Sequence, residues 1–487
     1  VAPPTDRLFK NLLRESGELR FRDVTESSGI AGSGYGMGVA VGDVDADGDP
    51  DLYVTALGSN RLWLNDGDGT FSDGTDAWRA DDPRWSTAAT FVDADLDGDL
   101  DLFVANYTAW TTAHPERCTA LGGYRDYCGP LSYPPVSDRL LENRGDRFVN
   151  ASIVWGTAGS YGAALGALAH DLAGDPHPEL YVANDASANQ LWSWNGDDNG
   201  GGAMRDVALE RGVALNGAGQ PEGSMGIDLG DYDGDGDLDL FSTHVHHESN
   251  TLWQNDGAGG FVDATQRAGL VRPSLGLTGF GAGFLDYDND GWLDLLVVNG
   301  TVTLVPAQLE AGHPYPLHQP NQLYRNLGPG EDGRVTYADV SGTAGDGLAH
   351  SEVTRGAAFG DVDDDGDLDV LLSNSNGPAR LLLNQVGQKR HWLGLRLLTG
   401  SGEAKRDDHA ARATVELADG RKLVRRVRVD GSYLSAHDPR VLFGLGDQTK
   451  VKAVAVRWAD GTEERWGWEK RQVDEYVTLV RGSSATD

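Results

Sequence analysis

The sequence predicts an all-β protein: a β-propeller of six blades, alternatively seven, followed by a small β domain. Two observations lead to this prediction. An acidic phrase, Asp-x-Asp-x-Asp-Gly-x-x-Asp, recurs along the chain between Asp43 and Asp369. Short apolar segments separated by glycine-rich turns follow each copy in the same order. A repeated unit of roughly 50 to 60 residues with local insertions is typical of a repeat fold.

The acidic phrase has the composition of a calcium loop. Its carboxylates stand at positions 1, 3, 5 and 9, and a turn-forming glycine stands at position 6. Carboxylates this close together repel one another unless a cation lies among them, and Ca²⁺ accepts six to eight oxygen ligands in flexible geometry. The closing acid at position 9 precedes a strand, which favours a loop within a β-hairpin over an EF-hand. We therefore predict a calcium-binding β-propeller that holds several Ca²⁺ per chain.

Five loops carry the full ligand set and a sixth is worn. In the worn copy Ala173 replaces one acid, Glu179 closes the loop, and Pro176 follows Asp175 where glycine is expected, so we expect weak calcium binding or none. The predicted calcium ligands are Asp43, Asp45, Asp47, Asp51, Asp93, Asp95, Asp97, Asp101, Asp231, Asp233, Asp235, Asp239, Asp286, Asp288, Asp290, Asp294, Asp361, Asp363, Asp365 and Asp369.

Each unit is predicted to form four short strands, with the acidic loop between the first and second. In the first full unit, a glycine-rich strand precedes the loop, and Leu52-Tyr53-Val54, Leu62-Trp63-Leu64-Asn65 and Phe71 follow it. The chain opens with Leu8-Phe9-Lys10-Asn11 and Phe21-Arg22-Asp23, which match the third and fourth strands of a unit although no loop precedes them. We expect these N-terminal strands to complete the last blade and close the ring.

The chain divides into a propeller at residues 1–388 and a separate small β domain at residues 389–487. Residues 415–429 have the pattern of a hairpin, with its turn at Ala418-Asp419-Gly420. This hairpin bears a basic strip beside the acidic propeller. The strip either docks onto the propeller or forms a solvated strand face, and an anionic ligand site is the alternative. The basic residues are Arg421, Lys422, Arg425, Arg426 and Arg428.

Composition narrows the function classes. The formal net charge is −35, which repels a phosphate backbone and argues against a nucleic-acid partner. No run of 18 apolar residues is present, so no transmembrane segment is expected. The two cysteines, Cys118 and Cys128, are close enough in sequence to form a local disulfide, although two free thiols are the alternative. A disulfide and a need for calcium both favour an extracytoplasmic location, secreted or periplasmic, with Val1-Ala2-Pro3-Pro4 following a removed signal peptide.

Two sets of motifs resemble known families. As far as Asn384 the repeats resemble the FG-GAP/VCBS propeller repeats of integrin α-subunits and secreted bacterial proteins. Beyond it, segments such as Gly431-Ser432-Tyr433-Leu434-Ser435 and Phe443-Gly444-Leu445-Gly446 resemble the ASPIC/UnbV domain. That domain closes proteins of the cartilage acidic protein type and bacterial proteins, some encoded with enediyne biosynthesis genes. Residues 406–412 depart from the glycine-rich turn that this resemblance implies.

The face opposite the acidic loops is the predicted ligand face. In a propeller this face carries the connections between strands 2 and 3 and between blades, and here it receives long insertions at about residues 107–137 and 299–320. The histidines His244 and His246 stand two residues apart, a spacing that on a strand places both imidazoles on one side. They either hold a transition metal, serve as an acid/base pair, or are packing histidines. The candidate catalytic residues are His244, His246, His247, Glu248, His313 and His318, with Glu222, Glu352, Arg355, Tyr161 and Trp85 as helpers.

Two function hypotheses follow. The first is a calcium-stabilised binding or adhesion module that recognises a protein, glycan or small-molecule ligand on the insertion-bearing face. The alternative is an enzyme with a histidine-bound transition metal or a calcium-organised pocket on that face, acting on a natural-product intermediate. The sequence contains no Gly-x-Ser-x-Gly motif, no His-Glu-x-x-His motif and no phosphate-binding glycine loop before a helix. The binding module is therefore the favoured hypothesis.

Overall fold

The computed structural model describes residues 5–30, 32, 34–113, 116–119, 123, 125–196, 202–402 and 404–484. The fold is all-β, as predicted, and the helices are short. No helix within these ranges has the length and apolar character needed to cross a membrane. The predicted remnant of a signal peptide, residues 1–4, lies outside the described residues. The α-helices are α1 (Leu13–Ser16), α2 (Ala208–Arg211), α3 (Val271–Ser274) and α4 (Pro306–Glu310), and single 3-10 turns occur at Pro130–Ser132, Ser341–Thr343 and Gly387–Lys389.

An N-terminal pair of strands precedes the first three blades. The N-terminal sheet pairs β1 (Phe9–Asn11) with β2 (Phe21–Asp23). Blade 1 contains β3 (Tyr35–Gly42), β4 (Asp51–Leu57), β5 (Arg61–Asn65) and β6 (Phe71–Asp73). Blade 2 contains β7 (Ser86–Val92) and β8 (Asp101–Asn106), then, after an insertion hairpin of β9 (Cys118–Thr119) and β10 (Arg125–Asp126), β11 (Arg139–Asn143) and β12 (Phe148–Asn150). Blade 3 contains β13 (Ala164–His170), β14 (Glu179–Asn184), β15 (Gln190–Gly196) and β16 (Gly202–Asp206).

Blades 4 to 6 repeat the pattern, and blade 6 has three strands among the described residues. Blade 4 contains β17 (Ile227–Gly230), β18 (Asp239–Ser242), β19 (Thr251–Asn255) and β20 (Phe261–Asp263). Blade 5 contains β21 (Gly279–Leu285) and β22 (Asp294–Asn299), then, after the short β23 (Gln319–Pro320), β24 (Gln322–Pro329) and β25 (Val335–Asp339). The short β26 (Ser351–Glu352) pairs with β23 and precedes blade 6, which contains β27 (Thr354–Gly360), β28 (Asp369–Asn374) and β29 (Arg380–Leu382).

The C-terminal β unit is a pair of sheets. One has the order β31-β30-β34 with β37 added parallel to β30, and the other has the order β33-β32-β35-β36. Apolar residues of both sheets, including Leu395, Val415, Phe443 and Trp458, form one buried core between them. The strands are β30 (His391–Ser401), β31 (Ala404–Asp407), β32 (Arg412–Leu417), β33 (Lys422–Arg426), β34 (Val441–Gly446), β35 (Val451–Arg457), β36 (Glu463–Gly467) and β37 (Tyr476–Val480).

The blades pack through alternating side chains of their second strands. Tyr181 of blade 3 is fully buried against Leu229, Leu240 and Trp253 of blade 4, and equivalent clusters join the other neighbouring blades. Small residues line the first strands, where the sheets converge. A Cβ atom on Gly230 would lie 2.8 Å from Leu293 and 2.9 Å from Phe284 of the next blade. Only glycine fits this close approach, which is why the first strand of each unit is rich in small residues.

The N-terminal sheet closes the ring, as predicted, but in a different manner. The Asn11 Nδ2 group donates to Val362 O of blade 6 at 2.6 Å, just as Asn143 of blade 2 donates to Val44 O of blade 1. On its other side the Ser28 carbonyl accepts the Phe71 amide of blade 1 at 2.8 Å. The sequence predicts that β1 and β2 complete the last blade. Among the described residues they instead pair with each other alone, and they occupy a seventh position beyond blade 6.

The C-terminal unit docks on the acidic-loop face of the propeller. Arg425 donates to Gly291 O at 3.0 Å and Arg440 donates to Asp361 O at 2.7 Å, so both contact acidic loops. The predicted docking of the basic strip is therefore confirmed for its inner members, Arg425, Arg426 and Arg428, whereas Lys422 is exposed. An anionic ligand would have to displace the propeller from these guanidinium groups, which excludes the alternative for this part of the strip.

Asp228 lies at the centre of the docking interface. Its fully buried carboxylate accepts hydrogen bonds from Arg426 at 3.0 Å and from Arg428 at 2.7 Å. Arg426 also donates to Asp430 at 2.8 Å, and Asp430 accepts the hydroxyl of Thr90 from blade 2. Burial lowers the pKa of Arg426, but the carboxylates of Asp430 and Asp228 outweigh it and raise that pKa. Two arginines and two aspartates thus form a charge-balanced buried network between propeller and C-terminal unit.

Candidate functional site

The five predicted acidic loops each bring carboxylates together. In every loop, three aspartates place one oxygen each within 4.8 Å of the others, close enough to share a metal ion. The three are positions 1, 3 and 9 in two loops and positions 1, 3 and 5 in the other three. The clusters are Asp43, Asp45 and Asp51; Asp93, Asp95 and Asp97; Asp231, Asp233 and Asp239; Asp286, Asp288 and Asp290; and Asp361, Asp363 and Asp365.

The same backbone turn builds every loop. The glycine at position 6 has a positive φ each time, for example 102° at Gly48 and 95° at Gly291. Position 4 is also left-handed, at Ala46 with φ 59° and at Asn289 with φ 52°, which the sequence pattern does not show. Two left-handed residues coil the loop, so that alternate side chains point inward. The turn therefore aims the carboxylates of positions 1, 3 and 5 at one centre.

The first and last acids of each loop are anchored by backbone amides. Asp286 accepts the amides of Asp290 at 2.9 Å and Gly291 at 2.8 Å. Asp294 accepts those of Tyr287 at 3.1 Å and Asn326 at 2.7 Å. These bonds hold the ligands in position without neutralising their charge. Five of the predicted ligands lie outside the three-residue clusters and stay predictions: Asp47, Asp101, Asp235, Asp294 and Asp369.

The electrostatics of the loops fit a cation. Burial, together with neighbouring carboxylates, raises the pKa of Asp51 and Asp231 to about 7 and that of Asp101 to about 8. Buried Oδ1 atoms of Asp93 and Asp233 have no hydrogen-bond partner among the described residues. Carboxylates that are buried, crowded and left with unpartnered oxygens are suited to a hard divalent ion.

Two protein-family models match the chain. The model of the FG-GAP-like repeat matches residues 43–104, 171–242 and 231–297. The model of ASPIC and UnbV matches residues 401–486. The chain is an FG-GAP repeat protein with a C-terminal ASPIC/UnbV domain. Each matched FG-GAP segment runs from the first acid of one loop to the second strand of the next blade, so the repeat assigned by similarity is offset from the blade seen in the structure.

The FG-GAP protein is homologous to cartilage acidic protein 1. It is 25% identical to the mouse protein over 328 residues, which cover 59% of this chain and 48% of the relative. It is 24% identical to the human protein, covering 59% of this chain and 47% of the relative. The chain thus spans about half the length of the curated relatives that it matches.

Two solved structures resemble this chain weakly. One is an Agrocybe aegerita lectin described as recognising non-reducing terminal N-acetylglucosamine, with 13% identity, a TM-score of 0.40, and coverage of 76% of this chain and 88% of the lectin. The other is a Bacillus licheniformis rhamnogalacturonan lyase, with 13% identity, a TM-score of 0.32, and coverage of 72% of this chain and 71% of the lyase.

The worn FG-GAP loop of blade 3 is paired with an arginine. Asp171 Oδ2 lies 2.9 Å from a guanidinium nitrogen of Arg457, which also donates to Gly174 O at 3.0 Å. Arg457 belongs to β35 of the ASPIC/UnbV domain. Its guanidinium supplies the positive charge that a metal ion would bring to a complete loop. No three-carboxylate cluster forms at this loop within the described ranges.

We expect elemental analysis to find five calcium ions per chain rather than six. Five complete carboxylate clusters are present, and the sixth loop is occupied by Arg457. The measurement is mass spectrometry of the protein after equilibrium dialysis against millimolar calcium, with the calcium of the dialysate subtracted. Asp235→Ala should remove one ion, since it removes an acid of the blade 4 loop. Finding six tightly held ions, or five in the Asp235→Ala variant, would contradict this assignment.

The insertion-bearing face carries both long connections. The predicted disulfide is present between Cys118 and Cys128, whose Cα atoms are 5.2 Å apart. The second insertion includes α4 and lies over blade 6, where His318 Nδ1 is 2.8 Å from Ser351 O. Tyr127 of the first insertion neighbours Tyr315 of the second, and burial together with the Tyr127 phenol raises the pKa of Tyr315.

The axis beneath this surface is filled by the ASPIC/UnbV domain. Tyr433 packs edge-on against Phe280, with ring centroids 4.9 Å apart, and lies buried with Leu165 and Met225. The loop enters from the acidic-loop face, anchored by two backbone hydrogen bonds between Ser432 and Ile227. The propeller channel is thus plugged. The sequence around Tyr433 matches a family motif, but nothing local in it indicates that the loop reaches the axis.

His244 is a buried packing residue. It is fully inaccessible, and its Nε2 atom lies 3.5 Å from Glu222 Oε2 while its Nδ1 atom lies 3.4 Å from Ser224 Oγ. Burial lowers the pKa of His244 to about 3, so the ring is neutral near pH 7. Burial raises the pKa of Glu222 to about 7. The two side chains therefore lie side by side, and His244 Nε2 has no hydrogen-bond partner among the described residues.

The expected strand geometry at the histidines is wrong. Strand β18 ends at Ser242, and the chain turns through His247, which has φ 76°. His246 consequently stacks on His247, with ring centroids 4.4 Å apart, rather than projecting beside His244. Glu248 accepts the Gly223 amide at 2.8 Å and ties blade 4 to the preceding connection.

The two remaining candidate catalytic histidines lie close to each other in the second insertion. His313 and His318 have ring centroids 4.5 Å apart within the second insertion. Every close group of three or more metal-ligating side chains within the described ranges consists of aspartates alone. A transition metal at His244 and His246 therefore stays a prediction without a ligand set.

The other candidate helpers are engaged in structural contacts. Arg355 lies 3.8 Å above the Phe280 ring and donates to Gly300 O at 2.6 Å. Glu352 forms a two-point ion pair with Arg380, at 2.5 and 2.7 Å. Trp85 stacks edge-on against Tyr107. Tyr161 differs from these residues because its side chain is exposed.

Proposed function

We propose that this FG-GAP protein is an extracytoplasmic, calcium-stabilised binding or adhesion module. It recognises a protein, glycan or small-molecule ligand on the insertion-bearing face. The observation that carries the proposal is the placement of the ASPIC/UnbV domain. This domain covers the acidic-loop face and plugs the axis with Tyr433, so the insertion-bearing face is the large propeller surface left for a ligand.

The chemistry of the open face supports recognition. Tyr127 and Tyr161 expose 65% and 59% of their surface there. Exposed aromatic rings with a hydroxyl group are suited to stacking on sugar rings and to anchoring protein surfaces. Arg355 lies near Tyr127, and burial lowers the pKa of Arg355. The face thus combines apolar contact area with a partly desolvated positive charge.

Calcium fills the five acidic loops in this proposal. The ion neutralises three or four carboxylates in each loop, and each loop joins the first two strands of a blade. Bound calcium therefore stabilises every blade that carries a loop. The propeller comprises residues 1–388 and the ASPIC/UnbV domain residues 389–487, since β30 starts at His391.

The extracytoplasmic location is supported by the covalent structure. The Cys118–Cys128 disulfide lies in an insertion that is largely exposed, where a reducing cytoplasm would open it. Calcium loops of this kind fill at the millimolar concentrations found outside cells. The enzyme alternative is not supported by the histidines, because His244 is inaccessible and lies beside Glu222.

The experiment is ligand screening with a matched pair of variants. The calcium-loaded protein is applied to an array of immobilised glycans and matrix proteins, and bound spots are followed by surface plasmon resonance. We expect the double variant Tyr127→Ala, Tyr161→Ala to lose affinity about tenfold or more, or about 1.4 kcal/mol, because it removes two exposed contact rings.

The control variant is Val262→Ala. Val262 exposes 64% of its surface on β20, the outer strand of blade 4, and does not belong to a connection of the insertion-bearing face. It should bind like the unmodified protein. Equal affinity of the double variant and the control for every ligand found would refute the insertion-bearing face as the recognition surface.

A further inference from the structure

The ring has seven positions. In six of them, blades 1 to 6, the described residues form an inner hairpin, which is the first strand of a blade, its acidic loop and its second strand. The N-terminal sheet contains β1 and β2, which occupy the places of a third and a fourth strand. Within the described ranges, no first or second strand lies between them and the axis. The seventh blade is therefore only its outer half.

Blade 6 exposes the side that would face these inner strands. In every blade, the second residue after the closing acid points towards the next blade. It is 0% exposed at Tyr53, 0% at Tyr181, 0% at Phe241 and 2% at Leu296. The equivalent Leu371 of blade 6 is 49% exposed. The apolar residue at this place in the blade is therefore buried where two complete blades meet and exposed beside the seventh position.

The N-terminal sheet also exposes apolar side chains whose equivalents are buried in complete blades. Phe9 stands two residues before the strand-3 asparagine, as Trp253 does in blade 4, and Phe21 begins strand 4 as Phe261 does. Trp253 and Phe261 are 1% and 7% exposed, whereas Phe9 and Phe21 are 52% and 45% exposed. Large apolar side chains on β1 and β2 thus lack the partners that their equivalents have.

Asp6 holds a position at which other blades have a hydrogen-bond acceptor. In complete blades, the residue five places before the asparagine of strand 3 accepts a hydrogen bond from a backbone amide at the end of strand 2. Asp138 accepts the Asn106 amide at 2.7 Å, and Asn321 accepts the Asn299 amide at 2.8 Å. Asp6 holds this position before Asn11. The second strand that would donate to Asp6 is not among the described residues. Sequence and geometry therefore agree on which strand is missing.

The complete junctions show what fits the gap. Between blades 3 and 4, Tyr181 packs against Ile227 and Leu229 of the first strand, Leu240 of the second and Trp253 of the third. Between blade 6 and the N-terminal sheet, Leu371 and Phe9 correspond to the first and last of these residues. The residues between them, Ile227 and Leu229 of the first strand and Leu240 of the second, have no counterpart there among the described residues. The occupant of the gap must offer alternating apolar residues on two antiparallel strands.

We infer that the seventh position is a docking site for a β-hairpin of the FG-GAP type, consisting of a strand, an acidic calcium loop and a second strand. The hairpin adds its second strand to the free edge of β1 and buries Leu371, Phe9 and Phe21. Main-chain hydrogen bonds and alternate apolar side chains supply the affinity, as in other cases where a strand is added to a sheet edge. The inference does not depend on the ligand of the insertion-bearing face.

The test uses a synthetic peptide with the sequence of residues 35–57, the complete inner hairpin of blade 1. It carries a fluorophore and is titrated with the full calcium-loaded chain, and anisotropy is recorded. We expect saturable one-to-one binding that chelation abolishes. Hydrogen exchange should slow at β1 and β28 in the complex. A peptide of the same composition in scrambled order should not bind.

Two variants decide whether the gap is the site. Leu371→Asp places a charge on the exposed apolar side of blade 6 and should weaken peptide binding at least tenfold, that is by about 1.4 kcal/mol. Ile153→Asp places the same charge at an exposed residue of blade 2 and should bind normally. No saturable binding, or equal binding by both variants, would overturn the inference. A dimer that Leu371→Asp dissociates would also overturn it, because a second copy would then cover the gap.

Discussion

Replacing Asp228 by alanine is expected to destabilise the protein by about 3 to 5 kcal/mol and to release the ASPIC/UnbV domain from the propeller. The Asp228 carboxylate is fully buried and receives the guanidinium groups of Arg426 and Arg428. It also accepts the Phe284 amide at 2.8 Å. The variant leaves two buried guanidinium groups with one carboxylate, Asp430, and the cost of an unpaired buried charge exceeds the mean value of a hydrogen bond.

Thermal unfolding and limited proteolysis measure this effect. The melting temperature should fall by several degrees, and cleavage should appear near residues 384–390, between β29 and β30. The matched control is Glu210→Ala, which breaks the exposed pair between Glu210 and Arg205. Exposed pairs contribute little, so the control should melt like the unmodified protein. Equal melting temperatures for both variants would show that the buried network does not hold the domains together.

Removing calcium is expected to lower the melting temperature more than any single substitution. An ion that binds only the folded state stabilises it by about 2.7 kcal/mol at a concentration one hundred times its dissociation constant, and five loops contribute together. Without calcium, each loop holds crowded carboxylates that repel one another, and in the blade 5 loop Arg325 and Arg390 offset part of this repulsion. Calorimetry with excess calcium and with calcium-stripped protein measures the difference. An unchanged melting temperature after stripping would refute a structural role for the ion.

The calcium-stripped protein should also lose stability as pH rises from about 4 to 8. Burial raises the pKa of Asp51, Asp286 and Asp369 to about 7, above the usual value of an aspartate. The folded state therefore binds more protons than the unfolded state across this range, so the free energy of unfolding falls as these carboxyl groups ionise. Calcium removes the effect, because bound carboxylates stay ionised. Melting curves of both forms at pH 5 and pH 8 compare the two trends.

The acidic loops show how much local sequence can predict. Their ligands lie within nine consecutive residues, so alternation and the glycine at position 6 are sufficient to indicate the turn and its carboxylates. The disulfide was predictable for the same reason, because Cys118 and Cys128 close a short connection. The histidines were less predictable. Their spacing indicates a shared site only if the segment is a strand, and β18 ends at Ser242, before them.

The sequence by itself determined the repeat, the position of each acidic loop and the division into propeller and C-terminal unit, because these features depend on residues that are neighbours along the chain. Only the tertiary structure decided the rest. The pairing of Asp228 with Arg426, the plug at Tyr433, the arginine at the worn loop and the open side of Leu371 all join distant segments. Such contacts depend on how the blades close around the axis, and burial then decides which charges must be paired and which apolar residues remain uncovered.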